Sequence, residues 1–233
     1  MQTSLSEEHR IIAIGDIHGC INTLRALIEK INPRPDDQFV FLGDFIDRGE
    51  NSKEVVDYLI ELSQQFLCHF ILGNHELMLI EYLKTGEPGP WLLNGGRATM
   101  DSYGEQGGIN LPPEHMKFFA GCMSHTATRN WFFTHGGLDP ELSIEENLAF
   151  HDPEELGWQR EHMREAYLST GSYPWEKTLV CGHTPTAEPI MLDRLIAIDT
   201  GCVYTRNPLL GKLTALILPE RTIIQQKNIE TTA

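Results

Sequence analysis

Long apolar runs are missing from this chain: nowhere do about 18 apolar residues follow one another, the length a membrane-crossing helix needs. The opening MQTSLSEEHR is polar and acidic and has no apolar core of the signal-peptide kind. The expectation is a cytoplasmic protein, neither membrane-spanning nor exported by an ordinary signal peptide. Paired cysteines are missing as well. Cys20, Cys68, Cys122, Cys181 and Cys202 are odd in number, widely separated and without a CxxC pair, so they read as reduced thiols, most of them packing residues. Basic clusters are also absent. With 33 acidic residues against 18 basic ones the formal charge is −15, and no run of Lys and Arg could track a phosphate backbone. Nucleic acid and anionic membrane are therefore not the expected partners. A phosphate substrate stays open, because bound metal can invert a local field.

What is present is a core and a regular pattern. The chain has 233 residues, 41% of them hydrophobic, enough for one sizeable domain. RIIAIG, QFVFLG and CHFILG read as short buried strands. Each leads through a charged loop into an amphipathic helix: INTLRALIEKI, SKEVVDYLIELSQQ and NHELMLIEYLK. Asn51 or Ser52 caps the second helix, with Asn51 and Glu54 spaced as a capping box. From Gly86 to Gly108 the pattern dissolves into seven glycines, two prolines, Trp91 and Tyr103, which predicts a long ordered loop over a site. PPEHMKFFAGC reads as a helix and WFFT as a strand. Loop and helix follow over 138–175, with a polar helical stretch at 160–168. KTLVCG, RLIAIDTG, LLGKLTALILPE and RTIIQQ make the last third strand-rich. This order predicts an α/β fold of mixed sheets, best arranged as two sheets sandwiched between helices, although periodicity alone does not separate two sheets from one. A single domain over residues 1–226 is expected, with 227–233 a frayed tail.

In α/β domains ligands bind beyond the carboxyl ends of the strands, and there the unusual polar residues fall. Asp16 and His18 follow the first strand, Asp44 the second, Asn74 and His75 the third, His135 the WFFT strand and His183 the KTLVCG strand. One such Asp is usually a turn former and one such His is usually satisfied by a carbonyl. A set of them at five strand ends, mostly beside a glycine, points to metal coordination. Carboxylate, imidazole and amide oxygen without thiolate suit Mn²⁺, Fe or Zn²⁺ rather than Ca²⁺ or Mg²⁺. Two ions close together would need a shared anion and enough ligands for both, and Asp44 is the natural bridge.

GDIHGC (15–20), GDFIDRG (43–49), GNHE (73–76), HGG (135–137) and GHTP (182–185) closely resemble the serine/threonine phosphoprotein phosphatase family of the metallophosphoesterases, in particular its compact bacterial and bacteriophage members. The resemblance runs from about Arg10 to Glu220. It implies the calcineurin-like fold and two divalent ions, most simply Mn²⁺. Asp16, His18 and Asp44 would hold the first ion and Asp44, Asn74, His135 and His183 the second. His75 would be the general acid, with Asp47 orienting it. Arg48 and Arg160, the latter in GWQR, would grip the phosphate. WLLNGGRATMDSY (91–103) looks like a loop that borders the substrate cleft in the bacterial members. The implied activity is hydrolysis of phosphoserine and phosphothreonine, with phosphotyrosine left open, by direct attack of a metal-bridging hydroxide and without a phosphoenzyme. The implied partner is a phosphorylated protein or peptide.

The competing reading is a dinucleoside polyphosphate hydrolase. Those relatives resemble GDLVARGP and GNHD where this chain has GDFIDRGE and GNHE, so Asp47 favours the phosphoprotein reading. A small-molecule phosphomonoesterase shares the same chemistry. A nuclease would call for a basic groove, and a non-catalytic scaffold for lost ligands; neither is seen in the sequence.

Overall fold

The computed structural model describes residues 4–104 and 109–231. Parts of two predicted segments, residues 105–108 of the glycine-rich stretch and 232–233 of the tail, lie outside them. Two five-stranded mixed sheets pack face to face. The first comprises β1 (Ile11–Ile14), β2 (Gln38–Phe41), β3 (Leu67–Phe70), β9 (Lys212–Leu218) and β10 (Thr222–Lys227), in the order β10-β9-β1-β2-β3. The second comprises β4 (His125–Ala127), β5 (Trp131–Thr134), β6 (Thr178–Cys181), β7 (Ile190–Met191) and β8 (Leu195–Ala197), in the order β4-β5-β6-β8-β7. The central pairs β1–β2, β2–β3, β5–β6 and β6–β8 are parallel, so their carboxyl ends point the same way within each sheet.

Alternation within the strands builds the sandwich. Ile11 and Ala13 of β1 turn to the inter-sheet core with Val40, Phe133, Val180 and Ile196, while Ile12 and Ile14 turn to the helices. There α1 (Ile21–Ile31) and α2 (Ser52–Leu62) cover the first sheet through Leu24, Leu27, Val55 and Leu59. On the far side, Ile144 of α7 (Ile144–Phe150) joins Tyr173 and Trp175 against Phe132 and Leu179 of the second sheet. Both faces of the central strands are thus dry, which explains why they read as continuous apolar runs. Arg10 and Asp37 clamp the starts of β1 and β2 through a two-point ion pair of 2.8 and 2.5 Å.

The paired-sheet architecture is as expected; several local features differ. The 86–104 stretch is not a loop but carries two short helices, α4 (Gly89–Leu93) and α5 (Gly96–Ser102). Burial organises them: the Trp91 ring is 1% exposed and stacks on Tyr82 of α3 (Asn74–Thr85) at 5.1 Å. A Cβ on Gly96 would stand 2.5 Å from that indole, so only glycine lets the two short helices close on each other. The helix α6 (Pro113–Gly121) is tied to α2 and to the end of α5, because buried His115 bridges the Tyr103 hydroxyl (2.7 Å) and Asp57 (2.8 Å). The capping box at Asn51 does not form. Asn51 is the N-cap, but its side chain makes no capping bond. The 160–168 helix is broken into a 3₁₀ turn at Glu161–Met163 and α8 (Glu165–Leu168), with extended backbone at Arg164 between them. Strands β4 and β7 sit on the edges of the second sheet and are too short to show a period.

The tail does not fray over its described residues. Glu230 accepts from the Thr23 amide (2.8 Å) and the Asn22 side chain (2.9 Å), supplying the first turn of α1 with the carboxylate its own N-cap lacks.

Candidate active site

The carboxyl ends of β1, β2, β3, β5 and β6 converge, and every metal-ligand candidate is buried there: Asp16, His18, Asp44, Asn74, His135 and His183. The two sheets are stitched together at this point. The His183 amide donates to both Asp16 oxygens at 3.1 Å, and His135 Nδ1 donates to the Leu42 carbonyl at 2.7 Å. The loops are strained to achieve this. His18, Asp44, Asp47, Arg48 and His183 all adopt positive φ, between 48° and 71°, a conformation rare for residues other than glycine and concentrated at functional sites.

Two groups with metal-ligating geometry form among the described residues: His18, Asp44 and His75, and Asp44, His135 and His183. Within each, the ligand atoms lie within 4.8 Å of one another. Asp44 belongs to both, the position of a bridge. Asn74 joins the second group, its Oδ1 lying 3.1 Å from His135 Nε2. The first group differs from the expectation. It contains His75, whereas the Asp16 carboxylate is turned toward the His183 amide.

The donor chemistry fits a cation. With Nδ1 of His135 committed to Leu42, its Nε2 faces Asn74 Oδ1, Asp44 Oδ1 (3.3 Å) and His183 Nδ1 (3.1 Å), a convergence of lone pairs with too few protons among them. The titration behaviour expresses the same deficit. Burial lowers His135, but Asp44, with Asp16 and Glu76 behind it, outweighs burial and pushes it up to about 10. Burial and then repulsion from Asp199 hold Asp16 well above the ordinary carboxyl range. Burial and His135 push His183 down to about 2. A divalent ion supplies the positive charge this pocket otherwise draws from protons. The thiols are not ligands of this centre: all five are free, and burial raises Cys181 far above neutrality.

Glu76 holds the ligand loops in place. Its buried carboxylate accepts from the amides of Gly73 (2.9 Å), Asp44 (2.8 Å) and Phe45 (2.8 Å), joining the start of α3 to the loop after β2. Burial and the neighbouring Asp44 push it up to about 7. A side chain on Gly73 would stand 2.2 Å from Asp44 Oδ1, so this approach requires glycine.

His75 Nδ1 lies 2.7 Å from Asp47 Oδ2, and its Nε2 is buried without a hydrogen-bond partner. Asp47 is held in turn by Trp91, Thr99 and Ser52, to which the sequence assigned no role at the site. Trp91 Nε1 donates to both of its oxygens (3.0 and 2.9 Å), Thr99 Oγ1 donates to Oδ1 (2.6 Å), and the Asp47 amide donates to Ser52 Oγ and Thr99 Oγ1. The only signal was the WLLNGGRAT phrase itself. Burial raises Asp47 above its ordinary value, opposed by the hydrogen bonds from His75, Thr99 and Trp91.

Arg48 and Arg160 flank the centre. Arg48 Nη1 lies 2.6 Å from His18 Nε2, and Arg160 Nε donates to His183 Nε2 at 2.7 Å. Asp199, for which the sequence offered no role, accepts from the Gly201 amide.

A fold of two packed mixed sheets with a dinuclear-type cluster at its strand ends defines a metal-dependent phosphoesterase. The chain belongs to the calcineurin-like phosphoesterase family, whose profile matches residues 9–210. It is 26% identical to an asymmetrical bis(5′-nucleosyl)-tetraphosphatase of Oceanobacillus iheyensis, covering 92% of this chain and 91% of that one. Among solved structures it resembles a proposed diadenosine tetraphosphatase, with a TM-score of 0.73, 20% identity and coverage of 98% and 97% of the two chains. It also resembles a mutant cold-active protein tyrosine phosphatase, with a TM-score of 0.67, 19% identity and coverage of 97% and 79%. These likenesses establish the broad family rather than the phosphoprotein phosphatase branch that the motifs resemble.

They also correct the partner expected from the sequence, a phosphorylated protein or peptide with nothing related to nucleic acid. The curated relative matched over nearly its whole length is named for a dinucleoside tetraphosphate. The physical reason is that a formal charge of −15 describes the whole chain and does not fix the local field at a site flanked by two arginines, so it does not exclude a small nucleotide. No helix among the described residues is long and apolar enough to cross a membrane.

Proposed function

We infer that the protein hydrolyses dinucleoside polyphosphates. The observation that supports this reading is the near full-length likeness to an asymmetrical bis(5′-nucleosyl)-tetraphosphatase. Asp47 no longer argues against it, because its structural work is to hold His75, a task independent of substrate.

In this reading Asp16, His18 and Asp44 would hold one divalent ion, the Asp16 carboxylate turning from the His183 amide to reach it, and Asp44, Asn74, His135 and His183 would hold the other, with Mn²⁺ the first choice for such a donor set and Fe or Zn²⁺ the alternatives. When bound, the ions neutralise phosphoryl oxygens and acidify an attacking water. Arg48 and Arg160 clamp the phosphoryl group through planar forks that lysine lacks. His75, held at Nδ1 by Asp47, presents Nε2 to the oxygen of the departing group. Water adds to phosphorus and one phosphoanhydride bond breaks; asymmetrical cleavage of a tetraphosphate leaves a nucleoside mono- and triphosphate. Five free thiols fit a reducing, cytoplasmic setting.

The test is product analysis with metal-stripped protein reconstituted with Mn²⁺, comparing diadenosine tetraphosphate with a pool of phosphoserine and phosphothreonine peptides. Higher kcat/KM on the dinucleotide, with AMP and ATP as products, is expected. Faster turnover of the peptides would overturn the reading.

A further inference from the structure

A cavity of about 390 Å³ opens beside the centre on the Arg48 side. Three separated segments wall it, together with Cys20 before α1: the turn after β2 (Arg48 to Asn51), the loop before β9 (Val203 to Asn207) and residues near the chain end (Asn228, Glu230, Thr231). Its volume lies in the range of small-ligand pockets. Of the residues assigned to the metal centre and its chemistry, only Arg48 reaches it. That residue joins the two places: its guanidinium lies 2.6 Å from His18 Nε2 and 5.5 Å from the centroid of the Tyr204 ring. A phosphoryl group gripped by Arg48 therefore has Tyr204 as the neighbouring surface for whatever the phosphate carries.

The walls are preformed. Asn228 Nδ2 donates to the Cys202 carbonyl at 2.9 Å, the Ile229 amide to Thr23 Oγ1 at 3.0 Å, and Glu230 is bound to the start of α1. The Glu230 carboxylate thus sits against the positive end of a helix, which offsets its repulsion of an incoming phosphate. The chemistry of the lining is mixed in the manner of a nucleoside site. Tyr204 and Val203 offer a flat and an apolar surface, Asn51 and Thr231 offer amide and hydroxyl groups for a base edge, and the Glu50 carboxylate suits ribose hydroxyls. Arg206 adds a second cation to the lining. A phosphorylated serine or threonine side chain, which carries no ring, would not need the aromatic wall.

We propose that this cavity binds one nucleoside of the substrate, its base against Tyr204, and is the element that separates nucleotide substrates from simple phosphate esters. The inference rests on the dinucleotide reading above and names where that substrate is recognised.

Two measurements test it. In the first, adenosine, which carries no phosphate for the metals or Arg48, is titrated into the protein while amide resonances are followed by NMR; shifts concentrated at residues 49–51, 203–207 and 228–231 are expected. In the second, Tyr204→Leu and Val203→Trp are compared with the parent on diadenosine tetraphosphate and on β-glycerophosphate, which carries no ring. Each variant should raise KM for the dinucleotide about tenfold relative to KM for the small ester. Equal changes in the two KM values, or adenosine shifts scattered away from these segments, would overturn the assignment. If the parent hydrolyses no dinucleotide but adenosine still shifts these segments, the overall functional reading falls while the cavity assignment stands. If dinucleotide is hydrolysed and neither measurement responds, the cavity assignment falls alone.

Discussion

Asp47 and His75, 28 residues apart and both fully buried, meet at 2.7 Å between carboxylate and Nδ1. The pairing leaves His75 Nε2 as a buried nitrogen without a partner, facing the cluster in which Asp44 lies 3.9 Å away. Such a nitrogen can deliver a proton or bind an ion, and the two roles separate on substitution. H75N should retain two metal ions per chain by elemental analysis and lose turnover according to the leaving group. On an alkyl phosphoester the loss should be on the order of 100-fold or more, because an alkoxide must be protonated as it departs. On the dinucleotide it should be smaller, since a departing phosphate is already a stable anion. Loss of one metal equivalent would make His75 a ligand instead.

Trp91 positions the acid through Asp47. Only an ionised carboxylate can accept from the indole, Thr99 and His75 together, and burial already raises Asp47 above its ordinary value. Removing a donor raises it further. In Trp91→Phe, which keeps an aromatic ring in place, the acid limb of the kcat–pH profile should move to higher pH, and kcat should fall about tenfold with little change in KM. An unmoved acid limb would reduce Trp91 to packing.

Glu76 ties together the loops that carry Asp44 and Asn74. In Glu76→Gln one oxygen becomes an amide nitrogen that faces backbone N–H donors, leaving buried donors unmet. Unfolding in urea should show a loss of about 2–4 kcal/mol, and metal should bind more weakly. Unchanged stability would mean that the three amides find other acceptors.

Asp37 gives the fold a dependence on acid. Burial would raise its pKa, but the Arg10 guanidinium and the Arg34 amide hold it below the ordinary carboxylate value. The folded value is the lower one, so the contribution is complete above about pH 4 and is lost as pH falls through the folded pKa. Asp37→Asn should cost about 1–2 kcal/mol at pH 7, modest because Arg10 keeps some contact with water. The difference from the parent should shrink toward pH 2; a difference constant with pH would assign the effect to packing.

The alternation of short apolar strands and amphipathic helices, and the placing of Asp16, His18, Asp44, Asn74, His75, His135 and His183 at strand ends, were legible in the sequence. These features arise within a few residues, where periodicity, glycine and side-chain chemistry act directly. The broad calcineurin-like family was legible for the same reason, since its motifs are contiguous, whereas the phosphoprotein phosphatase branch that those motifs resemble is not established. Tertiary structure alone decided which of these residues meet. It put His75, rather than Asp16, into the group with His18 and Asp44. It brought Thr99 against Asp47, 52 residues away, by folding a glycine-rich stretch into two short helices around one buried indole. It returned Glu230 to the start of α1, 207 residues distant, and closed a cavity beside Arg48. The edge strands β4 and β7, two or three residues long, carry no period and exist because a neighbouring strand offers them hydrogen bonds. Contacts over such separations depend on how two sheets pack, which no local stretch of chain encodes.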